Sequence, residues 1–172
     1  TIHSKALKDL NSGEIDFKVL TQRNSVSLNL IIADEFIYTA NDFYDIFTPN
    51  YEKSNPQYKE GSLNGYYVLG ADIDLTDYLS SGVGNNSGKG WFPIGAYSDG
   101  EFDVPFDGTF NGNGHTISGF WYKKAANVNG LFGRVGTNGV VKNFTLQGDI
   151  PEDGVASWSA ALVGNNAGTI EN

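Results

Sequence analysis

Two groups of carboxylates are the first chemistry the sequence offers: Asp72, Asp74 and Asp77, then Asp99, Glu101, Asp103 and Asp107. Hard oxygen donors gathered in loops bind calcium, and two carboxyls at a suitable separation hydrolyse glycosides. Neither group has the spacing of a defined calcium loop. With a net charge of −9, a solvated acidic face is the plainer reading. A calcium site at Asp72, Asp74 and Asp77 is the metal candidate. No other cofactor is expected and no catalytic residue is assigned. The histidines are His3 and His115. No His-Glu-x-x-His run exists, so zinc-protease chemistry is absent from these residues. His115 lies in a Gly-Asn-Gly-His-Thr corner with no neighbouring His or Cys, and reads as a hydrogen-bonded turn residue.

Two Gly-rich runs come close to nucleotide motifs and fail. Gly84-Asn85-Asn86-Ser87-Gly88-Lys89-Gly90 is one residue short of a phosphate-binding loop, and Gly90 stands where a hydroxyl must reach magnesium. Gly112-Asn113-Gly114 lacks the third glycine and the following helix of a dinucleotide site. The aromatic residues Trp91, Trp121, Tyr122 and Trp158 offer a sugar-stacking strip. The competing role for such rings is packing in the interior.

Composition narrows the classes. The 172 residues suit one domain with a real core, since 40% are hydrophobic and 13% aromatic. The acidic balance argues against nucleic acid, whose phosphates require clustered Lys and Arg. There is no Cys, hence no disulfide and no thiol chemistry. There is no Met either, so the chain is expected to be processed or excised from a longer protein. No apolar run reaches the roughly 20 residues of a membrane helix, and Thr1 to Lys5 carry no signal-peptide pattern.

The elements that must position these residues follow from periodicity. A short helix is expected over residues 4–10. Ile15, Phe17 and Val19 alternate with polar residues, as do Val26, Leu28, Leu30 and Ile32, which predicts two strands joined by a turn at Thr21 to Ser25. Phe36 to Tyr38 predicts a brief strand. Thr39 and Asp42 then open a helix with Phe43, Ile46 and Phe47 on one face, and Pro49 ends it. Pro49 to Ser62 reads as a surface loop. Tyr67 to Leu75 alternates and predicts one strand with Asp72 and Asp74 on a single face. Ser80 to Gly90 reads as a loop, and Trp91 to Gly95 resumes the apolar pattern.

From Phe106 onward the chain repeats itself. Phe106-Asp107-Gly108-Thr109-Phe110-Asn111-Gly112-Asn113-Gly114-His115-Thr116-Ile117-Ser118-Gly119-Phe120 has echoes in Gly130-Leu131-Phe132-Gly133, in Gly139 to Phe144, and in Ala161 to Asn172. Ile117 aligns with Val141 and then Ile170, at steps of 24 and 29 residues. Strand-rich, Gly-punctuated units of this length predict a β-solenoid in which each coil buries its face on the next. These three residues are then expected to stack in one inward column, and Asn143 and Asn172 to form an amide ladder. An ordinary β-sandwich is the competing architecture.

These motifs resemble the GLUG-repeat proteins of bacteria. The resemblance rests on Trp91-Phe92-Pro93-Ile94-Gly95, the run from Phe106 to Gly119, Gly130 to Gly133, and Ala161 to Asn172, where Ala161 replaces the usual Gly. Thr39 to Phe43 and Tyr67 to Leu75 match the entrance of such domains, with Phe43 replacing the usual Leu. The resemblance covers roughly residues 36–172 and implies a right-handed parallel β-helix in a secreted or surface-attached protein. Such repeats occur in adhesin-like proteins and in the non-catalytic part of IgA1-specific metalloproteases. Residues 1–35 then form an N-terminal cap or the end of a preceding domain, with the solenoid over 36–172.

The expectation for function is a non-catalytic module outside the cell or on its surface, engaged in adhesion, display or ligand binding. Its expected partners are a host or matrix protein or glycan, together with further repeats of the parent chain beyond Asn172. The last coil is expected to be open at its edge. The alternative is a polysaccharide-active β-helix enzyme, a lyase or glycosidase using surface carboxylates.

Overall fold

A computed structural model of the chain describes residues 13–20, 25–47, 63–95, 97–98, 102–123, 128–149 and 158–172. The helix expected over 4–10 and the loop from Pro49 to Ser62 lie outside them. The two alternating segments form β1 (Gly13–Leu20) and β2 (Ser25–Ile32), paired antiparallel from Gly13↔Ile32 to Leu20↔Ser25.

Strand β3 (Glu35–Ile37) leads into helix α1 (Ala40–Phe47). The Asp42 N–H donates to Thr39 Oγ1 (3.3 Å), while Asp42 Oδ2 accepts from the N–H groups of Thr39 (2.8 Å) and Tyr38 (2.7 Å). This reciprocal cap satisfies donors that the first helical turn leaves without partners. Phe43, Ile46 and Phe47 are buried, as their spacing predicts.

The single strand expected over Tyr67 to Leu75 is two strands, β4 (Tyr66–Leu69) and β5 (Ile73–Asp74). The chain turns at Gly70, whose N–H donates to Ile37 O (2.9 Å). The Tyr38 ring lies so close to Gly70 that a Cβ there would collide with it. Helix α2 (Thr76–Ser80) follows β5, and a 3₁₀ segment, Val83–Gly88, lies within the Ser80 to Gly90 stretch expected to be a loop. The Asn85 amide locks this segment by donating to the Leu79 and Ser80 carbonyls and accepting from the Gly88 N–H.

A small antiparallel pair, β6 (Tyr97–Ser98) and β7 (Phe102–Asp103), follows. The Gly-rich part supplies β8 (Thr109–Asn111), β9 (Thr116–Trp121), β10 (Val128–Asn129) and β11 (Phe132–Val135). It continues with β12 (Val140–Lys142), β13 (Thr145–Asp149), β14 (Trp158–Ser159), β15 (Val163–Asn166) and β16 (Thr169–Glu171).

These strands pair parallel and in chain order. One sheet runs β3, β4, β8, β12, β16, with Tyr67, Phe110, Val141 and Ile170 in register. A second runs β5, β9, β13, with Ile73, Ile117 and Leu146 in register. A third joins β11 to β15, extended by parallel bridges Ile94↔Phe132 and Phe106↔Val135, and β10 pairs with β14. Parallel neighbours cannot be joined by a tight hairpin. Between β8 and β12 the chain passes through strands of the other parallel sheets before returning.

The space between the sheets is filled by aromatic rings. Phe106 and Phe110 meet Phe132 at centroid distances of 5.1 and 5.4 Å, and α1 packs Phe43 edge-on to Trp91 (5.3 Å) and Phe47 against Tyr67 (4.8 Å). Such offset and edge contacts add to the gain from burying the rings.

The expected column of Ile117, Val141 and Ile170 is split between two sheets. Val141 pairs with Phe110 and Ile170, whereas Ile117 pairs with Ile73 and Leu146. Aligning Ile117 with Val141 sets Gly119 beside Asn143, and both positions hold a positive φ, 67° and 60°. They need it for different reasons. Gly119 lies inside β9, backed by the Thr76 hydroxyl with no room for a Cβ, while Asn143 lies where the chain turns from β12 toward β13. Ile170 is exposed on the edge strand β16 rather than turned into a closed core.

Candidate functional site

The polar residues converge where the chain leaves the five-stranded sheet for the three-stranded one. Successive passages make this corner at Gly70 to Asp72, at Gly112 to His115, and at Asn143 to Phe144. Three left-handed residues sit here: Asn113 (φ 53°), Gly114 (φ 81°) and Asn143 (φ 60°). Asn tolerates this region better than other side chains with a Cβ, and its amide stays free to bond locally.

The first two corners are tied by a carboxylate. His115 Nδ1 lies 3.1 Å from Asp72 Oδ1, and the Thr116 N–H donates to the same oxygen at 2.9 Å. The Thr116 bond first, then the His115 bond, hold the Asp72 carboxyl below the usual carboxylate range. His115 is thus the hydrogen-bonded turn residue the sequence predicts. Asp74 accepts from the Thr76 N–H (2.9 Å), and the Thr76 hydroxyl and N–H lower its carboxyl as well.

The next corners are tied by amides. Buried Asn111 accepts from the Asn113 N–H (2.9 Å) and from Asn143 Nδ2 (3.3 Å), and donates to the Tyr66 hydroxyl (3.3 Å). The Gly114 N–H donates to Asn143 O, and the Thr145 N–H to His115 O. The amide bond here joins Asn143 to Asn111, whereas the ladder expected from sequence paired Asn143 with Asn172. Along this corner lies a groove of about 520 Å³ lined by Asn111, Asn113, Asn143 and Asn172 with Phe144 and Thr145. Ile31 of β2 and Gly114 complete its wall.

Among the described residues, the carboxylates singled out by sequence do not gather. Asp72 is held by the next corner, and Asp74 and Asp77 lie at the start of α2, with Asp77 in its first turn. Asp107 accepts from the Asn138 N–H (3.2 Å). Asp103 lies in β7, and Asp99 and Glu101 are outside the described residues. Among the described residues, no three His, Asp or Glu side chains form a group able to hold a metal ion.

The aromatic strip disperses too. Trp91 is buried with Nε1 donating to Leu131 O (2.9 Å), and buried Tyr122 donates its hydroxyl to Ala160 O (3.1 Å). Both are core residues, because their rings fill the interior and each polar tip reaches a backbone carbonyl. Trp121 is half-buried against the same core, and Trp158 is placed in β14 beside Val128. The Gly84 to Gly90 run overlaps the 3₁₀ segment Val83–Gly88, which Asn86 and Ser87 interrupt with left-handed backbone, and is not a strand-to-helix phosphate loop. The Asn-lined groove was missed as a site. Its signal was the recurrence of Asn at positions 113, 143 and 172, each beside a short apolar strand.

Comparison with known proteins gives two partial relatives. Over 109 residues, 62% of this chain, it is 43% identical to a "Putative Gly-rich membrane protein" of Evansella cellulosilytica, and covers 12% of that protein. Over 111 residues it is 35% identical to "Halomucin" of Haloquadratum walsbyi, covering 1% of it. The chain therefore spans a small part of either relative. Neither name denotes an enzyme. No protein-family model matches, so that comparison does not show the GLUG repeat, and no solved structure matches. Among the described residues no helix is long and apolar enough to cross a membrane.

Proposed function

We propose that the chain is a stretch of right-handed parallel β-helix, a β-solenoid of GLUG-like repeats. It serves as a non-catalytic binding or display module of a secreted or cell-surface protein. The observation that carries this reading is the stacking of β3, β4, β8, β12 and β16, parallel and in chain order, with the chain passing through strands of other sheets between rungs from β4 onward. Repeats of this kind build long surfaces from nearest-neighbour contacts. The names of the two relatives, a Gly-rich membrane protein and a halomucin, support a place at the cell surface. The engagement of Asp72, Asp74 and Asp107 in backbone bonds supports a structural role for these carboxylates.

The test applies purified protein to an array of matrix proteins and glycans, and measures retention and product release together. Retention without release is the expected result. Release of cleaved glycan, abolished by Asp72→Asn, Asp74→Asn or Asp107→Asn, would replace this reading with the polysaccharide-active enzyme.

A further inference from the structure

The groove beside the Asn corners has a lining that selects one class of ligand. No ionisable side chain lines it, although the whole chain carries a net charge of −9. Asn113, Asn143 and Asn172 are exposed, and Asn111 holds the row in place from beneath through its bonds to Asn113 and Asn143. Each amide presents one acceptor oxygen and two donor hydrogens. Asn143 commits one donor to Asn111, and Asn113 one to the Leu69 carbonyl (3.5 Å). Thr145 adds an exposed hydroxyl, and half-buried Phe144 sets a ring in the wall, fixed edge-on against Phe110 at 5.4 Å.

We propose that this groove binds a neutral polysaccharide, a refinement that rests on the reading of the chain as a non-catalytic binding module. Pairs of sugar hydroxyls both donate and accept, which matches amides and a hydroxyl and does not match a row of charges. The apolar C–H face of a sugar ring matches Phe144. Asn143 and Asn172 directly follow Lys142 and Glu171, which are paired in register at the strand spacing of about 4.8 Å, and Asn113 lies one residue beyond the matching place after β8, so the lining suits a chain of repeated units better than one small molecule. The volume of about 520 Å³ lies within the range of ligand sites. An acidic polysaccharide meets the chain's overall negative charge and finds no cation in the groove.

The experiment is calorimetric titration of the whole 172-residue protein with cellohexaose, xylohexaose and mannohexaose, and with hexagalacturonate as the charged probe. Asn113→Gly and Asn143→Gly remove the amides while keeping the left-handed backbone, so both variants fold. Phe144→Leu removes the ring and keeps an apolar side chain. At least one neutral hexasaccharide is expected to bind, with hexagalacturonate weaker. Each variant is expected to weaken binding about three- to tenfold, the scale of one hydrogen bond or one ring contact. Binding accompanied by cleavage, and lost in the variants, would uphold the groove and overturn the non-catalytic reading. Absence of binding by every neutral probe, binding unchanged in all three variants, or tighter binding of hexagalacturonate would each overturn the groove proposal. None of these three touches the module reading unless turnover appears.

Discussion

Phe110 in β8 and Ile170 in β16 hold equivalent places, each in register with Val141, yet their environments differ completely. Phe110 is 0% exposed and Ile170 is 45% exposed. Phe110 has a strand on either side and meets the rings of Phe43, Phe132 and Phe144. Ile170 has a strand partner on one side, because β16 is the sheet edge. Burial at a stacked position therefore depends on the neighbouring strands and on what fills the interior, and hydrophobicity of the residue itself does not decide it.

Truncation puts this contrast to its strongest test. Phe110→Ala is expected to cost about 3–5 kcal/mol, the range for removing a buried aromatic ring from a packed core. Ile170→Ala is expected to change stability by less than about 1 kcal/mol, since little apolar area leaves water there. Urea denaturation of both variants checks the pair. Equal losses would mean that the exposed strand is as tightly held as the central one.

A second, smaller effect concerns Tyr67, the β4 member of the same row. Burial first, then the charges of Asp34 and Glu35, push its hydroxyl up to about 12. A raised folded-state pKa means that the neutral phenol is favoured in the fold. Its contribution is full below the unfolded value near 10 and is lost as pH rises toward about 12. Stability followed through that window should fall more steeply in the wild type than in Tyr67→Phe. Identical slopes would show that this position does not govern the alkaline limit.

The smallest effect belongs to the exposed corner. Asp72 has a lowered pKa, so the stability it contributes is present above the unfolded carboxyl value and lost as pH falls through the folded one. Asp72→Asn should blunt the decline of the melting temperature below about pH 4. Because the carboxylate is highly exposed, the difference should shrink further with added salt. An undiminished decline in the variant would assign the acid sensitivity to other carboxylates.

Local patterns in the sequence determined the local elements. The cap of α1, its buried stripe and the strands β1, β2 and β3 follow from short-range periodicity and side-chain-to-backbone bonding, which need only a few consecutive residues. Several turn positions were legible as well, since glycine and asparagine mark places where the backbone is left-handed. Tertiary structure alone decided which marks were equivalent. Gly119 and Asn143 satisfy the same dihedral requirement inside a strand and at a corner, so an alignment by residue type places Ile117 in the wrong sheet. The same holds for Trp91 and Tyr122, where a ring and a polar tip suit a sugar or a core equally, and only the carbonyls of Leu131 and Ala160 arriving from distant segments settle the matter. The groove is of that kind too. Asn111, Asn113, Asn143 and Asn172 are separated along the chain, and the pairing of parallel strands, which no local pattern encodes, brings them to one groove.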